Sequence, residues 1–117
     1  HQLDIDGFEY GLERLINEMK SQTKVFVLGL TPIDEKKMPF AGCLWYSNDF
    51  CNSYERRMEE VCINQNVPFL PTFREMYADY RSKNWISEDG IHLNSKGHLW
   101  MYQRLKSWEI LKEWKES

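Results

Sequence analysis

The sequence predicts an α/β fold: the later part of a doubly wound parallel sheet, with two strands and their flanking helices in view. Three observations carry this. Lys24-Val25-Phe26-Val27-Leu28-Gly29-Leu30 is a continuous β-branched and aromatic run without polar alternation, the pattern of a strand covered on both faces. A stretch with helical spacing leads directly into it, which is half of a βαβ unit. Another helical stretch then precedes a second short strand, Val67-Pro68-Phe69-Leu70. Two strands alone do not make a stable sheet with both faces covered. The first strands are therefore expected to lie outside these 117 residues, which are read as a single partial domain.

Asp6-Gly7-Phe8-Glu9 has the form of a helix start, with Asp6 accepting from free N–H groups and Glu9 reaching back. Phe8, Leu12, Leu15, Ile16 and Met19 recur at helical spacing, so a helix is expected over about 6–21. Residues 31–47, with Pro32, Pro39 and Gly42, form a loop beyond the carboxyl end of the first strand. Open α/β sheets place binding residues there. Asn48 or Asp49 is expected to cap a second helix with the stripe Phe50, Tyr54, Met58, Val61 and Cys62. Glu55, Arg56, Arg57, Glu59 and Glu60 read as its solvated face. Pro68 cannot donate to a ladder, which places the second strand at a sheet edge. A short helix over roughly 72–81, a loop over 85–94, and a last helix with the stripe Met101, Leu105, Trp108 and Leu111 follow, before a polar tail from Lys112.

Composition narrows the function classes. A net charge of −3 without a Lys/Arg-rich run argues against a nucleic-acid partner. The longest apolar run, Val25 to Leu30, is too short to span a bilayer, and no signal-peptide pattern opens the sequence. Five Trp, six Tyr and six Phe need a core or a partner to cover them. The three cysteines are odd in number and form no CxxC pair, against a disulfide framework or zinc knuckle. Cys62, in an apolar stripe, is expected in the core. This usage favours a reducing, cytoplasmic setting.

The chemistry concentrates in Ser87-Glu88-Asp89-Gly90-Ile91-His92-Leu93-Asn94-Ser95-Lys96-Gly97-His98. Asp89 and His92 are three apart in a loop that Gly90 lets turn sharply. That spacing can bring the carboxylate to the imidazole Nδ1–H and fix Nε2 as a base. A hydroxyl nucleophile needs such a base, because its own pKa is far too high for it to ionise at neutral pH. Without the surrounding pattern, Asp89 would read as the cap of its turn. Asp89, His92 and His98 fit a metal site by residue type, but without an i, i+4 helical pair or a Cys ligand. Trp45 and Tyr46 line an acyl or alcohol pocket, or equally form a lid over the core.

Asp89-Gly90-Ile91-His92-Leu93-Asn94, followed by Gly97-His98 and an amphipathic helix, resembles the last conserved block of SGNH/GDSL-type serine hydrolases. Val25 to Pro32 is similar to that family's penultimate strand and the loop after it, and Val67 to Pro71 to its last strand. The resemblance covers nearly the whole chain in order. It implies the C-terminal part of an SGNH hydrolase fold and a carboxylic ester hydrolase activity with a small-molecule ester substrate and no cofactor. It implies Asp89 and His92 as triad members. The family's Gly-Asp-Ser nucleophile motif does not occur here, nor do its oxyanion-hole Gly and the Asn of its Gly-x-Asn-Asp block. Ser47-Asn48-Asp49 lies after the penultimate strand and lacks that Gly. The reading is that a missing N-terminal part supplies the serine, on the same or a companion chain. This chain alone is then expected to be inactive and to self-associate through an exposed sheet edge. The alternatives are an inactive domain serving as an interaction module, and a metal-dependent hydrolase using the two histidines.

Overall fold

The computed structural model describes residues 4–42 and 46–116. The first helix, α1 (Ile5–Lys20), is capped by Asp4, whose carboxylate accepts from the Asp6 N–H at 3.2 Å. The cap thus precedes the expected Asp6. Asp6 instead joins Glu9 in pairing with Arg57 Nη1, at 2.8 and 2.6 Å, which ties α1 to the next helix. The expected stripe is only partly covered. Ile16 packs with Val61, Cys62 and Val67 in the core, whereas Leu15 and Met19 are 54% and 43% exposed.

Strands β1 (Val27–Leu28) and β2 (Phe69–Leu70) run parallel, with Val27 opposite Phe69 and Leu28 opposite Leu70. The Val27 N–H donates to the Pro68 carbonyl at 3.0 Å and the Gly29 N–H to Leu70 at 2.8 Å. Pro68 serves as an acceptor, so its missing N–H costs the ladder nothing. The ladder is shorter than the Val25–Leu30 run, and the run is half-buried rather than covered on both faces. Among the described residues β1 has one strand neighbour, and its other edge is open.

Ser47 caps α2 (Asn48–Asn64), its hydroxyl accepting from the Phe50 N–H at 3.1 Å. Asn48, one of the two expected caps, is used differently: its amide accepts from the Ile33 N–H at 2.9 Å and donates to the Ile33 carbonyl at 3.1 Å. This fastens the loop after β1 to the start of α2. The helix ends in a Schellman motif. Asn66 takes φ +57, the Val67 N–H reaches back to the Cys62 carbonyl, and the Asn66 N–H to that of Ile63. Cys62 is fully buried, and Val67 packs beside it.

Glu55 corrects the expectation of a solvated face. Its side chain is fully buried, and its carboxylate takes up the space a Gly29 side chain would need: a Cβ on Gly29 would lie 2.0 Å from Oε2. Oε2 accepts from the Leu30 and Phe73 N–H groups at 3.0 and 2.7 Å. Oε1 accepts from the Arg74 N–H and Nε at 3.1 and 3.2 Å. Arg74 also makes an ion pair with Glu59 at 2.9 Å. A buried carboxylate thus joins the carboxyl end of β1 to the helix after β2.

That helix, α3 (Thr72–Tyr77), is shorter than expected, and a 3-10 turn over Ser82–Trp85 follows it. The buried Thr72 hydroxyl donates to the Leu30 carbonyl at 2.7 Å, a second tie across the strand ends. The last expected helix is two: α4 (Ser95–Ser107) and α5 (Glu109–Glu116). Trp108 leaves the helical conformation with ψ 110 and is buried. The break lets Trp108 and Trp114 both meet Phe26 edge-on, at 5.7 and 5.5 Å between ring centres. Residues 112–116 are therefore part of α5 rather than a tail. Among the described residues no helix is long and apolar enough to cross a membrane.

Candidate active site

The turn between Trp85 and α4 holds itself closed. The Asn94 N–H donates to the Trp85 carbonyl at 2.8 Å, and the Ser87 N–H to that of His92 at 2.7 Å. Ile86 and Leu93 form an antiparallel bridge. The Asn94 side chain completes the closure. Its Oδ1 caps α4 through the Gly97 N–H at 3.0 Å, and its Nδ2 donates to the carbonyls of Asn84 and Ile86 at 2.7 and 3.3 Å. Gly97 permits the close approach of α4, since a Cβ there would lie 2.5 Å from the Trp85 carbonyl oxygen.

Within this turn Asp89 Oδ2 lies 2.5 Å from His92 Nδ1. Oδ1 accepts from the Ser87 hydroxyl and the N–H groups of Ile91 and His92, at 2.8, 2.9 and 3.0 Å. These donors, the Ile91 N–H first and the His92 ring next, hold the Asp89 carboxyl well below the usual carboxylate range. An ionised Asp89 facing Nδ1 makes Nδ1 the protonated nitrogen of a neutral imidazole. Nε2 has no hydrogen-bond partner among the described residues, and the His92 side chain is 67% exposed. The pair can therefore offer an oriented base to solvent.

Gly90 is the second requirement of the turn. Its φ is +85, and a Cβ would lie 2.9 Å from Lys37 Cβ and 3.2 Å from the Asp34 carbonyl oxygen. Its own carbonyl accepts from the Asp34 N–H at 2.8 Å. The loop after β1 is thereby latched to the turn that carries Asp89 and His92. That loop also brings Phe40 to His92, edge-on with ring centres 6.5 Å apart, and Tyr46 to Phe40 at 6.3 Å. Tyr46 thus reaches the site through Phe40, and it is 43% exposed. Trp45 lies outside the described residues. His98 is exposed on the first turn of α4. Among the described residues no three His, Cys, Asp or Glu side chains converge as metal ligands, so Asp89, His92 and His98 do not form such a group.

Sequence reasoning gave no role to Phe40 or Ser87. Ser87, two positions before Asp89, had a detectable signal in the hydroxyl–carboxylate spacing of a tight turn. Phe40 had none, because only the latch at Asp34 brings it near. A cavity of about 510 Å³ opens between Pro32–Lys36 and the segment from Tyr77 to Ile86. Neither Asp89 nor His92 lines it.

A family model described as the GDSL-like Lipase/Acylhydrolase family matches residues 1–100. No curated protein matches the chain. The fold is similar to the crystal structure of the lipase/acylhydrolase from Enterococcus faecalis, with a TM-score of 0.74 at 18% identity. That match covers 91% of this chain and 53% of the other, so the chain spans about half of that protein and corresponds to the C-terminal part of its fold. By the family match, which takes in β1, β2 and the whole turn from Trp85 to Asn94, the chain belongs to the GDSL-like lipase/acylhydrolase family.

Proposed function

We propose that Asp89 and His92 are the orienting carboxylate and the general base of a serine carboxylic ester hydrolase, whose nucleophile comes from sequence outside these 117 residues. The observation that carries this reading is the geometry of Asp89. One oxygen is occupied by three donors and the other faces His92 Nδ1 at 2.5 Å. A serine hydroxyl attacks the ester carbonyl and gives its proton to His92 Nε2, and the alcohol departs with that proton. Water then attacks the acyl-enzyme by the same route and releases the acid and the serine. Asp89 holds the imidazole in place and stabilises its charged form. Tyr46 and, on sequence alone, Trp45 line the substrate pocket.

The open edge of β1 and the exposed Leu15 and Met19 of α1 support a docked partner. In this reading the partner is the N-terminal, nucleophile-bearing part of the domain, on the same or a companion chain. Hydrolysis of p-nitrophenyl acetate by a polypeptide containing both parts tests the proposal. His92→Ala is expected to lower turnover by about 10²- to 10⁴-fold, and Asp89→Asn by less. Undiminished turnover in His92→Ala overturns the reading. The 117-residue chain by itself is expected to show no hydrolysis above its His92→Ala control, because triad members act as a unit.

A further inference from the structure

We infer that Phe40, with Tyr46 behind it, recognises the alcohol half of the ester, so that the enzyme selects esters of bulky apolar alcohols. The inference rests on the role proposed for His92 and adds the substrate class. The argument is one of placement. A base that first takes the nucleophile's proton must later deliver it to the leaving oxygen. That oxygen therefore lies within hydrogen-bond reach of Nε2, and the carbon skeleton attached to it emerges beside the imidazole. The acyl group, held on the nucleophile, projects from the other side of the reacting carbon.

What stands beside the imidazole is aromatic. Phe40 meets His92 edge-on at 6.5 Å, and Tyr46 continues the row at 6.3 Å from Phe40. One contact holds the loop to the turn that carries the base, and another ties the row to its own loop. The Asp34 N–H donates to the Gly90 carbonyl, and the Tyr46 N–H approaches Met38 Sδ at 3.5 Å. Phe40 is half-buried and Tyr46 is 43% exposed, so ring surface is left for a ligand. No charged side chain is part of the row. A methyl alcohol is too small to cover it, whereas a benzyl or hexyl group buries apolar area against both rings.

The alcohol leaves before the acyl-enzyme is hydrolysed, so the row acts on acylation alone. The test compares methyl acetate, benzyl acetate and methyl butyrate as substrates of the polypeptide that carries the nucleophile. Phe40→Ala is expected to lower kcat/KM for benzyl acetate by about five- to tenfold, the size of one aromatic contact. Methyl acetate and methyl butyrate should lose clearly less, so that the preference for the benzyl ester falls. Phe40→Leu, which keeps apolar bulk, should recover part of the loss and guards against a folding defect. Equal losses on all three esters, or a loss confined to methyl butyrate, overturn the inference, as does an unchanged benzyl preference. Those results leave the general-base reading standing. Hydrolysis that persists in His92→Ala instead removes that reading, and this inference with it.

Discussion

Glu55 and Asp89 are both carboxylates that gather four hydrogen-bond donors, yet they do opposite work. The donors of Glu55 come from residues 18 to 25 positions away, and its side chain is sealed from solvent. The donors of Asp89 lie within three positions, and its side chain is 37% exposed. Glu55 joins pieces of the fold that the chain keeps apart. Asp89 shapes a turn and spends its remaining oxygen on a ring that faces outward. Glu55 binds distant segments together out of solvent, whereas Asp89 closes its own turn at the surface.

The contrast predicts a ranking of effects. Glu55→Ala should be the most damaging substitution, costing about 3–5 kcal/mol in urea unfolding, because it strands buried donors and the Arg74 guanidinium. Gly29→Ala should act through the same group. Its Cβ would meet Oε2 at 2.0 Å, and displacing that pinned carboxylate should cost about 1–3 kcal/mol. In the double variant the two losses should fall short of their sum. Full additivity would separate Gly29 from Glu55 and break the account of this corner. Gly90→Ala follows at about 1–3 kcal/mol, since both φ +85 and the Lys37 contact oppose a side chain. Its thermal midpoint should drop while Glu55-dependent contacts stay intact.

The smallest effects belong to Asp89 itself. By carboxyl NMR its midpoint should lie below the ordinary range. It should rise part-way in His92→Ala, because the Ile91 N–H remains, and least in Ser87→Ala. A depressed folded pKa means that the stability Asp89 contributes is fully present above roughly pH 3.9 and is lost as pH falls through the lowered value. Asp89→Asn should therefore have a flatter acid-unfolding profile below that point. A profile identical to wild type would show that Asp89 is not held as an ion.

The same distance rule explains what the sequence revealed. The turn at 87–94 was legible because its signals are adjacent: Gly90 for the sharp turn, and Asp89 three before His92. The parallel pairing followed from two apolar runs separated by a helix. Glu55 was not legible, because nothing near it announces that Leu30, Phe73 and Arg74 converge there. Ser47, Asn48 and Asp49 are all capping types; Ser47 takes the cap, while Asn48 instead holds Ile33. The break at Trp108 brings its ring to Phe26, far back in the chain, which nothing near Trp108 announces. Phe40 likewise joined the candidate site through a loop latched at Asp34.

The ring of contacts around Asn94 makes the 84–97 segment a portable cassette. Its bridge, its cap and its carboxylate network are written in its own residues, and the Asp34–Gly90 hydrogen bond ties it to the loop beside the sheet. Amide exchange at Ser87, His92 and Asn94 should slow and quicken together as one local opening unit. Grafted between two anchored ends of matching separation, the segment would carry its aspartate–imidazole geometry into a different scaffold.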